Sequence, residues 1–239
     1  HERGNINSIS ANYVNAVIED RNGDLWFGTN NGLSLFRRKT SSWTHYFEGN
    51  GNSNEKYVIL ALCEDDDGKI WVGGYAFGVA EIDKGKGTIV RYHIDSKKKI
   101  IGTEFVYAIY KDELTNEIWF GGINGRISSY NPNTEAFHLY GEESIRCFSS
   151  YDDSNILLGL YRGLYLMNTQ TREKKATQIN KTINAILKDG DKSYWVGTLK
   201  NGLYHYNMKT NSLRHYTTRD GLSSNHIYAI EKDEDGSLW

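Results

Sequence analysis

The chain has 239 residues, a formal net charge of −2 and 13% aromatic residues. This near-neutral charge gives no electrostatic basis for contact with nucleic acid or with an anionic membrane. No apolar run approaches the roughly 20 residues of a membrane span, and no signal peptide is visible within these residues.

A short motif recurs along the chain, and its first copy is Leu25-Trp26-Phe27-Gly28. Its later copies begin at Ile70, Ile118, Ile156 and Tyr194, and a sixth is represented by Leu238-Trp239. A period of about 40 residues with short, strand-like units is typical of a β-propeller. The repeat therefore predicts the architecture before any single residue predicts a function.

Each repeat contains four predicted strands, which would make one blade. The first strand carries a small residue in one column, namely Ala16, Ala61, Ala108, Cys147, Ala185 and Ala229. Turn signals such as Asn22-Gly23 lead to the Trp-x-Gly strand, a second glycine precedes the third strand, and the fourth strand usually ends in tyrosine. In the fourth repeat this last strand is weakly marked, around residues 176–179.

We therefore predict an all-β fold, a β-propeller of four-stranded antiparallel blades with almost no helix, forming part of a seven-bladed propeller. Seven blades of this length would need roughly 300 residues. The predicted single partial propeller domain spans 1–239, with blades at 13–46, 58–92, 105–140, 144–179 and 182–216 and the first hairpin of a sixth at 226–239.

Acidic residues recur with the blades, at Asp20, Asp65, Asp112, Asp189 and Asp233. They stand where a strand enters a tight turn, and aspartate is favoured there because it accepts hydrogen bonds from nearby backbone N–H groups. Catalytic carboxylates would be singular and would face each other. We predict no catalytic residue and no hydrolase or lyase activity.

The histidines and cysteines predict no metal site, no cofactor and no disulfide. His45, His138 and His215 belong to outer strands of separate blades and would not converge on one ion. Cys63 and Cys147 lie in first strands of blades that are not adjacent, so we expect two buried, unlinked thiols.

The informative positions are those at which the repeat stops repeating, because a rigid repeat can vary there without harm to the fold. They lie just before the small residue of the first strand and in the loop between the second and third strands, which we expect at one mouth of the propeller. The candidate ligand-binding residues are Tyr75, Phe77, Tyr107, Arg146, Tyr161, Arg162, Lys200 and Tyr228. Aromatic faces stack on sugars, whereas Arg and Lys pair with anionic groups. The alternative is that these are ordinary solvated loop residues.

Segments that join the blades differ in length. Those at 47–57, 93–104 and 217–225 are long, whereas the one at 141–143 and the link before Thr182 are short. Long loops would wall the face near blades two, three and six. Arg146 and Arg162 would then lie on the low side with Tyr161 and Lys200, where an anionic sugar could reach them.

The sequence resembles the two-component regulator propeller repeat. The first copy carries Asp20, Gly23, Trp26, Gly28, Thr29, Gly32 and Leu33 in the family pattern, and Asp220-Gly221-Leu222 looks like the family's lead-in to a new blade. The fourth blade departs most, because Leu157 replaces the tryptophan and Tyr151 replaces the aspartate. The family has no universal ligand motif, so the site residues above are not taken from it.

This resemblance implies a periplasmic sensor region, part of an inner-membrane hybrid two-component regulator whose histidine kinase module lies elsewhere. It implies oligosaccharides from glycan breakdown as signals, and the rest of the same sensor chain and a second copy in a homodimer as partners. Three hypotheses remain open. They are a ligand-sensing propeller, a purely architectural or dimerising propeller with the ligand bound elsewhere, and a propeller lyase or glycosidase.

Overall fold

The structure is a computed structural model that describes residues 2, 5–48, 57–94, 101–113 and 115–239. It forms two compact units, residues 1–143 and 144–239. The first unit contains three four-stranded antiparallel sheets and the second contains two, each with its strands in sequence order. The predicted all-β class and the predicted four strands per blade are confirmed.

The first unit contains twelve strands, four to a sheet. Sheet one has β1 (Val14–Glu19), β2 (Leu25–Thr29), β3 (Gly32–Arg37) and β4 (Ser42–Tyr46). Sheet two has β5 (Val58–Glu64), β6 (Ile70–Tyr75), β7 (Gly78–Asp83) and β8 (Thr88–Tyr92). Sheet three has β9 (Val106–Lys111), β10 (Ile118–Gly122), β11 (Arg126–Asn131) and β12 (Ala136–Glu142).

The second unit contains eight strands and one short 3-10 helix, Thr218–Asp220. Sheet four has β13 (Ile145–Asp152), β14 (Asn155–Leu160), β15 (Gly163–Asn168) and β16 (Lys174–Ala176). Sheet five has β17 (Ile183–Gly190), β18 (Ser193–Thr198), β19 (Leu203–Asn207) and β20 (Ser212–Tyr216). Strand β16 begins two residues before the predicted 176–179 segment. In the predicted sixth hairpin, the described pairing is the isolated bridge Lys232–Leu238. The assignment of 1–239 to a single domain stays a prediction.

The tryptophans of the repeat pack one sheet against the next. Trp26 and Trp71 are fully buried, and each joins a hydrophobic cluster that includes residues of the following sheet. Trp119 is also fully buried. Trp195 is only half-buried, and its ring packs against His205 and Tyr216 of its own sheet. The predicted burial is therefore confirmed for three of the four.

The glycine of Trp-x-Gly allows close approach of neighbouring sheets. A Cβ atom at Gly28 would lie 2.9 Å from Ile59 Cγ2, and one at Gly197 would lie 2.6 Å from Ile227 Cγ2. Real Cβ atoms do not approach other atoms so closely, so any side chain there would push the sheets apart. The repeated glycine is thus a packing requirement between repeats.

Both cysteines are free, which confirms that they are unlinked. They are half-buried rather than fully buried. Burial raises the pKa of the Cys63 thiol to about 11 and that of Cys147 to about 12. Neither side chain is therefore a reactive thiolate near neutral pH.

Candidate functional site

The variable column of the first strand coincides with a β-bulge in every sheet. The ladder skips one residue beside the small residue in each of the five first strands. The skipped residues are Asn15, Leu60, Tyr107, Arg146 and Asn184. A bulge leaves its extra residue out of the ladder and re-aims its side chain. These positions can therefore vary without breaking a hydrogen-bond ladder.

Two bulge residues bind the neighbouring repeat. Asn15 Nδ2 donates a hydrogen bond to the Ile59 carbonyl at 3.0 Å, and Asn184 Nδ2 donates to the Ile227 carbonyl at 2.9 Å. Both carbonyl groups belong to the residue that stands two positions before the small residue of the next repeat. In these two sheets the bulge side chain holds the repeats together.

The bulge residue of sheet four is Arg146, which contacts a tyrosine from the β14–β15 turn. Arg146 Nη1 donates to the Tyr161 hydroxyl at 2.9 Å, and the guanidinium carbon lies 5.1 Å from the centre of that ring. The Tyr161 side chain is 44% exposed. Thr182 Oγ1 donates to the Tyr161 carbonyl at 2.8 Å, which fixes the turn. A guanidinium and an aromatic ring are thus presented together at an accessible surface.

The other predicted site residues of this unit have different surroundings in the structure. Arg162 stacks on Tyr165 of β15, with its guanidinium carbon 5.0 Å from the ring centre. Lys200 is exposed in the β18–β19 turn. Tyr228 is 77% exposed and stacks on His226 at 4.1 Å. Of the five predicted residues in this unit, the structure joins Arg146 to Tyr161.

In the first unit the structure corrects one predicted site residue. Phe77 is fully buried, so its placement at an accessible mouth is wrong. Its ring lies edge-on to Phe47 and Tyr57, and Arg91 stacks over it at 4.5 Å. Ala76 has a φ of 50°, and Phe77, which comes next in the chain, joins the hydrophobic core. An apolar side chain directly before the turn glycine was the signal that could have revealed this.

The other two candidates of the first unit remain at or near the surface. Tyr75 is 50% exposed and packs edge-on to Phe105 at 4.9 Å. Tyr107 is a half-buried bulge residue. Much of the long segments at 47–57 and 93–104 lies outside the described residues, so the prediction that they wall the site stays a prediction. The same holds for one mouth shared by residues of both units.

Asp20, Asp65 and Asp233 close turns, as their position predicted, whereas the described contacts of Asp189 are with His205 and Lys232. Asp20 Oδ1 accepts from the backbone N–H groups of Asn22 and Asp24, at 2.9 and 3.2 Å, and Oδ2 accepts from the Trp26 indole at 2.9 Å. Burial raises the pKa of Asp20, but hydrogen bonds from Lys84, Trp26 and the backbone outweigh it and leave the pKa lowered. A carboxylate so occupied is a structural group.

In the described part of the chain, no three His, Cys, Asp or Glu side chains cluster as a metal site would require. None of its helices has the length and apolar character of a membrane span.

Several known proteins resemble the chain in sequence or in fold. The chain is 28% identical over 246 residues to histidine kinase P4 of Formosa agariphila, an alignment that covers 87% of this chain and 16% of that protein. The extracellular domain of a protein assigned to a hybrid two-component system of B. thetaiotaomicron matches with a TM-score of 0.82 at 21% identity, over 100% of this chain and 33% of that one. A catalytically inactive virginiamycin B lyase of Staphylococcus aureus matches with a TM-score of 0.71 at 17% identity, over 93% of this chain and 75% of that one.

The two structural likenesses define the fold as that of a β-propeller. Residues 8–31, 53–76 and 221–239 match the family model described as two component regulator propeller. The chain therefore resembles that family in these three segments. It spans about a sixth of the curated relative, so the activity of any whole protein is a matter for proposal.

Proposed function

We propose that this chain is the ligand-sensing propeller of a hybrid two-component regulator and responds to oligosaccharides from glycan breakdown. The repeat family and the likeness to a histidine kinase and to an extracellular sensor domain support the regulatory role. The proposed location is the periplasm, within an inner-membrane protein whose kinase module lies elsewhere in the chain. The proposed partners are the rest of the same sensor chain and a second copy in a homodimer.

The Arg146–Tyr161 pair is the observation that carries the ligand proposal. The Tyr161 hydroxyl fixes the guanidinium at 2.9 Å, and the half-exposed ring offers an apolar face beside it. A guanidinium forms two parallel hydrogen bonds with a carboxylate or sulfate, and an aromatic face packs against the C–H groups of a sugar. We therefore propose an acidic sugar as ligand, with Arg162 and Lys200 adding positive charge from neighbouring turns.

A second candidate is an architectural propeller that only transmits a signal or supports dimerisation. The bonds from Asn15 and Asn184 to the next repeat favour it, because they show bulge residues in structural use. A propeller lyase or glycosidase has weaker support. Likeness to a lyase at 17% identity concerns the fold alone, and the described contacts of Asp20 and Asp65 are those of turn residues.

The test is calorimetric titration of the intact sensor region with carboxylated, sulfated and neutral oligosaccharides. We expect Arg146→Ala to weaken binding of the acidic ligand roughly ten- to a hundredfold, the loss of one charge-assisted hydrogen-bonded contact. Binding should also weaken as salt rises. Arg38→Ala is the matched control, because Arg38 is an exposed arginine that pairs with Glu19 at 2.9 Å. Unchanged affinity in Arg146→Ala and Arg162→Ala would favour the architectural candidate.

A further inference from the structure

A groove of about 390 Å³ lies between sheets two and three of the first unit, on their outer strands. Its lining includes Lys69, Glu81, Tyr92, Tyr130 and Phe137. This volume is within the range of small-molecule sites in proteins. All these residues belong to the unit of residues 1–143, whereas Arg146 and Tyr161 belong to the other unit.

Glu81 is the carboxylate in a register position that differs from sheet to sheet. It pairs with Trp71 in the β6–β7 ladder, and the same position holds Leu35, Ser129, Leu166 and His205 in the other sheets. Glu81 is only 8% exposed. Burial of a carboxylate is costly unless the group is paired.

Glu81 is the acceptor of a compact polar cluster. Lys69 Nζ lies 2.8 Å from Glu81 Oε1, and the Tyr92 hydroxyl donates to Glu81 Oε2 at 3.1 Å. The hydrogen bond with Glu81 raises the pKa of Lys69, and burial together with Glu81 raises that of Tyr92, so both keep their protons at neutral pH. The ion pair is neutral as a whole. It still has ammonium hydrogens and carboxylate lone pairs to offer, and a hydroxyl group satisfies both kinds.

Tyr130 supplies a second polar group that the fold leaves unused. Its side chain is 6% exposed and lines the groove. Its hydroxyl makes no hydrogen bond with the residues that the structure describes, and burial raises its pKa, so it remains a donor. The Tyr130 hydroxyl is not one of the fully buried unpaired polar atoms of the described residues, so it is available to a ligand in the groove as a hydrogen-bond donor.

The remaining lining residues are Val90, Glu135 and the aromatic Phe137. The Phe137 ring lies 4.9 Å from those of both Tyr92 and Tyr130. Apolar ring surface next to a mixed donor and acceptor floor suits a molecule with hydroxyl groups on its edge and C–H groups on its face.

We propose that this groove binds a neutral sugar ring, with its hydroxyl groups on Tyr130 and the Lys69–Glu81 pair and its C–H face against Phe137. The site is separate in its residues from the acidic-sugar site proposed at Arg146. Failure of either proposal leaves the other standing.

The neighbouring groove between sheets one and two provides a control within the same unit. It has about 340 Å³ and is lined by Leu35, Ile82 and Ile89, which hold the register positions of Glu81, Tyr130 and Phe137. Its tyrosine, Tyr46, holds the position of Tyr92. The two grooves thus have similar volumes and differ in the polar side chains at these positions.

The experiment is saturation-transfer NMR on the intact protein with glucose, galactose, mannose, xylose and N-acetylglucosamine, followed by titration of each sugar that binds. We expect Tyr130→Phe to weaken binding about five- to tenfold, as for one lost hydrogen bond, with an unchanged melting temperature. Lys69→Met combined with Glu81→Leu should abolish binding. Tyr46→Phe should leave the affinity unchanged.

Three results would overturn the proposal. The first is that no sugar of the panel shows saturable transfer. The second is that Tyr130→Phe and the double variant, each shown to be folded by its melting curve, bind as the unmodified protein does. The third is that binding survives in Tyr130→Phe and disappears in Arg146→Ala, which would place the sugar at the other site.

Discussion

In sheets one and two the aspartate after the first strand binds the tryptophan of the same sheet, whereas in sheet five the corresponding aspartate contacts a histidine. Asp65 accepts from the Trp71 indole at 2.8 Å, as Asp20 does from Trp26. In sheet five, Asp189 instead contacts His205 Nε2 at 2.9 Å. The tryptophan of that sheet, Trp195, stacks on the same imidazole at 4.2 Å.

Sheet four uses neither arrangement. Tyr151 replaces the aspartate, and Lys192 of the β17–β18 turn in sheet five contacts it, with Nζ 3.6 Å from the ring centre and 2.9 Å from the carbonyl oxygen of Tyr151. The comparison shows that the residue in this column has a different partner in sheets one and two, in sheet four and in sheet five. The described contacts of the recurring carboxylates are those of structural groups.

The largest expected difference is between the tryptophans themselves. Trp71→Ala removes a fully buried side chain and should lower the free energy of unfolding by about 3–5 kcal/mol. Trp195→Ala should lower it by about 1–2 kcal/mol, since that ring is already half-exposed. Urea unfolding of both variants measures the difference, and equal losses would contradict the packing described here.

The next largest effect concerns Asp65, which accepts the hydrogen bond of the Trp71 indole. Asp65→Ala leaves the buried Trp71 indole and the backbone N–H groups of Asp67 and Lys69 without their acceptor. We expect a loss of about 2–3 kcal/mol in the free energy of unfolding. Asp67→Ala, an exposed change in the same turn, should cost about 0.5 kcal/mol or less. A similar cost for the two would show that the indole bond contributes little.

Much of the fold was predictable because the same sequence pattern occurs in each repeat. Trp-x-Gly, the turn glycines and the small column predicted five four-stranded sheets, and sheet packing explains each of those residues. Other features arise from tertiary contacts that one repeat cannot reveal. The burial of Phe77 depends on Phe47, Tyr57 and Arg91 from other strands.

The candidate site was less predictable than the fold. The variable column was found from the sequence, but its nature as a bulge was not, because the extra residue is visible only in the ladder register. The Arg146–Tyr161 contact was suggested by position, whereas the groove at Glu81 was missed. Its signal was a single carboxylate in a column that otherwise holds Leu35, Ser129, Leu166 and His205, a column that was not aligned in the sequence.

A smaller effect is expected from pH. The hydrogen bonds of Asp20 lower its pKa in the folded protein relative to the unfolded chain, so its stabilising contribution is present above the unfolded value near pH 4 and is lost as pH falls below it. The free energy of unfolding should therefore decrease as the protein is acidified from pH 5. In Asp20→Asn this decrease should be shallower, which urea titrations at pH 3, 4 and 5 would measure. Identical slopes would mean that Asp20 has no lowered pKa in the folded protein.

The smallest effect is expected between sheets four and five, where Lys192 of the β17–β18 turn lies over the Tyr151 ring. Lys192→Met keeps an unbranched side chain of similar length. The left-handed φ of 59° at this position disfavours both residues alike, but methionine removes the cation from the Tyr151 ring. The same substitution removes the hydrogen bonds from Nζ to the Tyr151 carbonyl and to Asp152, so the cation–π contact is measured as a coupling energy, which we expect to be about 0.5–1 kcal/mol. A double-mutant cycle with Tyr151→Leu separates this contact from the bond to the backbone carbonyl, which Tyr151→Leu leaves in place. A coupling energy near zero would mean that Lys192 stabilises sheet four through its hydrogen bond and through Asp152 rather than through the ring.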